Sequence, residues 1–360
     1  MNWKALTICL IGPYLPRPGG VSVQTELHAQ FLRAEGATVR RVDTNLPLVR
    51  RLPVVGRWLV PLLQPAVILA RLLRALPGSQ VVHIHAASYW GFMPVLIAAP
   101  LARLAGRRVI VTYHGSRAER FLGQYGWLVR RALRSAHTVV VLSEWTQKMF
   151  SRLGIPTTVV PILVDTERFA YRERKTFPPI ILWAKGLSRR TNPAMAIRAC
   201  ARVQREMPEV RLHLAGDGPL LPEARRLAKE IGARVEFLGN VPFAEIHRLY
   251  EAAGVFWNTS YADNMPDNVL EASACGLPVI ATRVAGVPLI VQDEENALLV
   301  EPDDDEALAQ KTLLVLRDAA LAARLGRAAR QNAERFGWPK ARERLADIYL
   351  PSHAEANRAA

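Results

Sequence analysis

Two carboxylates eight residues apart, Asp263 in a polar loop and Glu271 on the helix expected to follow it, are well placed to handle a polyhydroxyl ligand. Their segment, VFWNTSYADNMPDNVLEASACGLPVIAT over 255–282, reads as strand, loop, short helix from about Pro266, glycine stop and strand. Proline near the first helical position and Asp267 in the first turn suit a helix start. Free N–H groups at such a terminus receive phosphate, and nearby carboxylates accept hydrogen bonds from sugar or ribose hydroxyls. That combination fits a nucleotide sugar, with Asn264 and Asn268 beside the acids counted among the donor-binding residues. Spacing alone leaves equally open that Asp263 caps a turn and that Glu271 is a solvated helix residue.

Other candidates sit at turns. His114 closes the run VIVTYH and precedes Gly115, which should turn its side chain toward a ligand. Of His83 and His85 in VVHIHA, one is expected to point into a core, and His85 is the one assigned to the ligand side. Gly19 and Gly20, after Pro18, separate the first strand from the first helix, where glycine permits close backbone approach and a helix N-terminus favours an anion. Alone, such a triplet means only a turn. Gly216-Asp217-Gly218-Pro219 lacks the G-x-G-x-x-G spacing, calls for no nicotinamide cofactor, and reads as a strand-to-helix turn lining the site.

The elements that must hold these residues alternate. LTICLIG, VVHIHA, VIVTYH and TVVVLS are short apolar runs of buried-strand type, separated by segments of helical spacing such as 21–34 and 118–136. IILWAK, VRLHLAG, VEFLGN, VFWNTS, PVIAT and ALLVE repeat the pattern, and the helix after Pro193 puts Ala196, Ala199, Cys200 and Val203 on one face. The expectation is α/β, two Rossmann-like doubly wound parallel sheets divided within FAYRERKTFPP (169–179), with the ligand in the crevice between the two domains.

Composition narrows the class. At 360 residues, half of them hydrophobic, the chain is long enough for two cores. Cys9, Cys200 and Cys275 are too few and scattered for a disulfide framework or a CxxC metal site, so the chain reads as cytoplasmic. The N-terminus lacks a full signal pattern, and the nearest thing to a membrane span, 58–76, carries two prolines and two arginines. Asp303-Asp304-Asp305-Glu306 superficially resembles a metal cluster but falls just before a helix, where it reads as capping, so no catalytic metal is expected.

The order of motifs resembles the retaining, GT-B-fold glycosyltransferases (glycosyl transferases group 1), whose signature is E-x7-E followed by A-x-A-x-G-x-P-V. Here Asp263-x7-Glu271 leads into Ala272-Ser273-Ala274-Cys275-Gly276-Leu277-Pro278-Val279. PRPGGV, VVHIHA, VTYHG, VVP with VDTERF, HLAGDGP, VEFLGN and a late FGW extend the likeness over nearly the whole chain. The resemblance implies GT-B architecture, an acceptor-side domain over 1–172 with a C-terminal helix in 336–360 packing back on it, and a donor domain over 173–335. It further implies metal-independent transfer of a sugar from a nucleotide-sugar co-substrate to a glycan or lipid-linked acceptor, with retention and no other cofactor. By the same likeness Asp263 approaches the donor sugar, Glu271 the ribose, and His114 the sugar near the reaction centre. Aspartate at the first position reaches one methylene less far.

Three departures stand out. Gly186 and Thr191 occupy the places of the usual diphosphate-binding arginine and lysine, Leu289 that of the glutamate in G-x-P-E, and ILVD (162–165) that of N-G-V-D. Lys185, Arg189 and Arg190 lie one or two residues from the lost cations and supply the counter-charge instead, with the choice among them open. These losses keep a non-catalytic partner subunit as the alternative.

The whole net charge of +15 lies in residues 1–172, which hold 22 Lys/Arg against 7 Asp/Glu. Such a field favours an anionic membrane surface or nucleic acid. The aromatics are not interleaved with the basic residues as base stacking needs, so no nucleic-acid partner is expected. Leu59, Leu62, Leu63, Ala66, Ala70 and Leu73 form a helical stripe that is either an interfacial element or a core face. With Arg50, Arg51, Arg57, Arg71, Arg74, Arg107, Arg108, Arg130, Arg131 and Arg134 around it, peripheral attachment to the inner face of the cytoplasmic membrane is the reading adopted.

Overall fold

A computed structural model describes residues 3–16, 19–46, 60–115 and 117–349. Arg17, Pro18, Arg50, Arg51, Arg57 and Leu59 lie outside them. The chain forms two compact units, Met1–Leu163 with Trp338–Ala360, and Val164–Gly337.

The first unit alternates β1 (Thr7–Gly12), α1 (Gly20–Ala34), β2 (Thr38–Asp43), α2 (Val60–Ala75), β3 (Val81–Ala86), α3 (Met93–Leu104), β4 (Arg108–Tyr113), α4 (Ala118–Leu133), β5 (Thr138–Val141), α5 (Glu144–Ser151) and β6 (Thr158–Val159). The strands make one parallel sheet in the order β2-β1-β3-β4-β5-β6. Period-2 alternation sends Val82 and Ile84 to one face, where they meet Leu72, Ala75, Val95, Ala99 and Phe121 of α2, α3 and α4. Val81 points the other way, with Ile8 and Ile110, against α1 and the C-terminal α13 (Trp338–Tyr349). The Trp338 ring stacks on Phe31 and donates to Glu35 Oε1 at 2.9 Å, tying α13 into this unit. In α2, Ile68, Leu72 and Ala75 face the core, whereas Leu63, Ala66, Ala70 and Leu73 are exposed. The apolar stripe expected from the sequence is therefore not a core face.

The second unit runs β7 (Ile180–Ala184), α6 (Pro193–Glu206), β8 (Arg211–Ala215), α7 (Leu221–Glu230), β9 (Val235–Gly239), α8 (Ile246–Ala252), β10 (Val255–Asn258), α9 (Asp267–Ala274), β11 (Val279–Thr282), α10 (Val287–Ile290), β12 (Leu298–Val300), α11 (Asp305–Arg317) and α12 (Ala319–Ala333). Its parallel sheet is ordered β12-β11-β10-β7-β8-β9. Ala196, Ala199, Cys200 and Val203 of α6 are fully buried, as their spacing predicts.

The division between units falls at Leu163/Val164, ahead of the 169–179 stretch chosen from the sequence. The reason is packing. Phe169 already lies edge-on to Tyr250 and Phe243, and Tyr171 lies so close to Gly276 that any side chain there would collide with its ring. The acidic run is consumed locally: Asp304 caps α11 by accepting from Ala307 N at 2.8 Å, and Asp305 pairs with Arg198 and Arg202. Among the described residues no helix is long and apolar enough to cross a membrane.

Candidate functional site

In a doubly wound sheet, ligands collect beyond the strand carboxyl ends at the point where strand order reverses. In the second unit that point lies between β7, whose chain continues to β8 on one side, and β10, which returns on its other side. Lys185 immediately follows β7, and Asp263 lies in the loop after β10. The structure joins them as a buried ion pair, Nζ to Oδ2. The ammonium also donates to Ser260 Oγ at 2.9 Å and Asn258 Oδ1 at 3.4 Å. Burial pulls the lysine's pKa down, opposed by the Asp263 charge. Arg190 brings a second cation to 4.0 Å from Asp263 Oδ1 and donates to Ala262 O at 3.1 Å. Arg189 and Arg190 are both exposed, but of the three candidate cations it is Lys185 and Arg190 that pair with Asp263.

The loop around this pair is fixed by backbone. Gly286 N donates to Asp263 O at 2.8 Å, and a side chain at Gly286 would sit 1.5 Å from the carbonyl oxygen of the buried Asn264. Pro266 is the N-cap of α9 and Asp267 its first residue, one position later than expected. Asn268 in the first turn donates to Ala184 O at 2.9 Å, clamping α9 to the end of β7. Thr191, at the position of a lost family cation, is buried and structural: its hydroxyl donates to Gly186 O at 2.6 Å and completes a capping box with Ser188. Leu289 is half exposed.

Gly216 has a φ of +146°, and a Cβ there would stand 1.8 Å from Lys185 O. Only glycine lets the turn after β8 pass this close to the residue that carries the ammonium. Gly216→Ala is expected to destabilise the second unit by about 2–4 kcal/mol, and urea unfolding measures it.

Glu271 is buried one turn farther along α9, where Tyr250 of α8 donates its hydroxyl to Oε2 at 2.7 Å. Burial raises the carboxyl's pKa from 4.5 to about 7, against the Tyr250 hydrogen bond and the Arg168 charge. Glu271 is therefore not a solvated helix residue. Sequence reasoning missed Tyr250, which touches Glu271, Ser260, which touches Asp263, and Asn258, which touches Lys185; Ser260, three residues before Asp263, was the legible one.

Gly19, Gly20 and His114 belong to the first unit. Gly19, at φ +145°, caps α1, its carbonyl accepting from Ser22 N and Val23 N. His114, after β4, stacks on His85 with ring centroids 4.9 Å apart and shares a 2.9 Å Nε2–Nδ1 hydrogen bond with it. His83 and His85 are both buried, which corrects the expectation that they point opposite ways. Residues two apart on a strand share a face, here the one toward His28 of α1 and Tyr349 of α13. Burial lowers the pKa of His28 to about 4 and that of His114 to about 3, and holds His83 and His85 far below the usual imidazole range. Nitrogens of His28, His83 and His85 lie within 4.8 Å of one another, close enough to consider a metal. Both His83 nitrogens, however, are taken by the Tyr349 and Thr112 hydroxyls, and His85 Nδ1 bonds to His114, whereas the buried His85 Nε2 has no hydrogen-bond partner among the described residues.

Comparison with known proteins identifies the family and the fold. The family model of glycosyl transferases group 1 matches residues 165–332, and that of glycosyltransferase family 4 matches 18–168. The GDP-mannose-dependent alpha-(1-6)-phosphatidylinositol monomannoside mannosyltransferase of Mycolicibacterium smegmatis is 31% identical over 298 residues, 74% of this chain and 76% of that protein. Among solved structures, sucrose-phosphate synthase from Thermosynechococcus elongatus superposes with a TM-score of 0.78 over 99% of this chain and 100% of its own, at 22% identity. Anabaena HepE in complex with UDP and glucose gives 0.71 over 95% and 98%, at 19% identity. On these grounds the chain belongs to the GT-B glycosyltransferases of the glycosyl transferases group 1 family.

Proposed function

We propose that the enzyme transfers a hexosyl group from a nucleotide sugar to a glycan or lipid-linked acceptor, without a catalytic metal and with retention of anomeric configuration, while attached peripherally to a membrane. The observation that carries this reading is the Lys185–Asp263 pair, flanked by Arg190, at the point where the order of the second sheet reverses. Lys185 and Arg190 supply positive charge to a departing nucleoside diphosphate, as a metal does elsewhere. Asp263 accepts from a sugar hydroxyl and Glu271 from a ribose hydroxyl, with Asn264 and Asn268 holding the loop and helix that carry them. An ammonium already occupies the Asp263 carboxylate, and Asp303, Asp304 and Asp305 are spent on capping and arginine pairs, which supports metal independence. A lipid-linked acceptor is in keeping with the phosphatidylinositol monomannoside that the relative from Mycolicibacterium smegmatis is named for acting on.

The test is transfer after exhaustive chelation, with the new linkage read by proton NMR. Activity is expected to persist and the product to keep the donor's anomeric configuration; loss on chelation, or an inverted linkage, contradicts the reading. Lys185→Met is expected to weaken donor binding roughly tenfold to a hundredfold, measured by calorimetry.

A further inference from the structure

We infer that the outer face of α2, α3 and α4 in the first unit is a docking surface for an anionic lipid bilayer. α3 packs between α2 and α4, so their solvent-facing sides form one continuous layer on one side of the sheet. That layer presents large apolar side chains to water: Leu73 is 56% exposed, Leu104 84% and Trp127 71%. Isolated exposed leucines mean little, but apolar groups standing out from three neighbouring helices mark an interaction surface.

Charge identifies the occupant. α2 and α3 contain no acidic residue, and α4 contains only Glu119, in its first turn and away from Trp127. Trp127, Arg131 and Arg134 recur at helical spacing on the exposed side of α4. Arg103, beside Leu104, bonds to His137 just beyond α4, which brings the ends of α3 and α4 together. A surface that pairs aliphatic and indole side chains with arginine and excludes carboxylates matches the boundary between anionic headgroups and acyl chains. A protein partner bound through apolar contacts alone does not require that one-signed charge.

This surface deepens the peripheral-membrane part of the proposed function and rests on it for the class of acceptor. It lies wholly in the first unit, apart from Lys185, Asp263 and Glu271.

The experiment is co-sedimentation with vesicles of phosphatidylglycerol and phosphatidylcholine in equal parts, at physiological salt, beside vesicles of phosphatidylcholine alone. The wild type is expected to bind the anionic vesicles preferentially. R131Q/R134Q is expected to lose roughly 25-fold in binding, about fivefold per arginine. L104S/W127A is expected to lose roughly tenfold or more. Both variants should keep wild-type thermal unfolding and nucleotide-sugar affinity, which shows that they are folded. A wild type that stays in the supernatant, or variants that bind as it does, overturns the inference. A wild-type dimer made monomeric by L104S/W127A, without vesicle binding, assigns the face to a second copy and also overturns it. Vesicle binding alongside transfer only to a water-soluble glycan leaves the surface standing and removes the lipid-linked acceptor.

Discussion

Replacing Glu271 with glutamine is expected to cut transfer by a factor of roughly 10²–10³ and, at the same time, to stabilise the second unit above pH 7. The first effect follows from removing the charged acceptor assigned to the ribose. The second follows from burial. The carboxyl titrates at about 7 in the folded protein against an ordinary 4.5. Between those values the unfolded chain gives up its proton while the folded chain keeps it. Stability from this group is therefore fully present below 4.5, falls as pH rises, and is lost above 7, a difference of about 3 kcal/mol. Glutamine escapes that cost and still accepts a hydrogen bond from Tyr250. Denaturant unfolding of both proteins at pH 5 and pH 8 checks the claim: the curves should nearly coincide at the lower pH and separate at the higher. A glutamine variant equal to or weaker than the wild type at pH 8 removes the buried, strained carboxylate from the account.

The first unit should fail in acid. His28, His83, His85 and His114 are held neutral in one cluster, with folded pKa values far below the ordinary 6.5. Below pH 6.5 the unfolded chain takes up protons that the folded cluster refuses. Their contribution is intact above 6.5 and declines by about 1.4 kcal/mol per histidine per pH unit as pH falls, or about 5 kcal/mol per unit for the four. Against a typical domain stability of about 5–15 kcal/mol, that slope unfolds the unit within two or three pH units. Calorimetry from pH 7.5 to 4.5 should show the first unit's transition moving steeply down while the second unit's moves up, because the buried Glu271 carboxyl keeps its proton there. His28→Gln should reduce the slope by about a quarter; an unchanged slope would mean that the histidines titrate freely.

Much of this was readable in the chain. Continuous apolar runs give β1, β3, β4 and β5 because parallel strands are buried on both faces. The loop-helix-glycine pattern at 255–282 located both acids. β2 was harder to read, because as an edge strand it carries Arg40 and Arg41 where a central strand carries valines. The helix of 60–75 was legible but its orientation less so: large apolar residues lie on both sides of it, Ile68 and Leu72 meeting the sheet while Leu63 and Leu73 face outward. Long-range partners were hidden for a different reason. The Lys185–Asp263 pair spans 78 residues and the His83–Tyr349 bond 266, and local spacing carries no information about contacts that the sheet order creates.

The central claim is that the second unit holds a nucleotide sugar through Lys185, Asp263 and Glu271 without a metal. Calorimetric titration of the full chain with UDP-, GDP-, ADP- and TDP-sugars in the presence of a chelator tests it directly. The account predicts saturable binding of one nucleotide class, weakened in Lys185→Met and Glu271→Gln. A folded protein that binds none of them, or binds one only when divalent cation is restored, contradicts it.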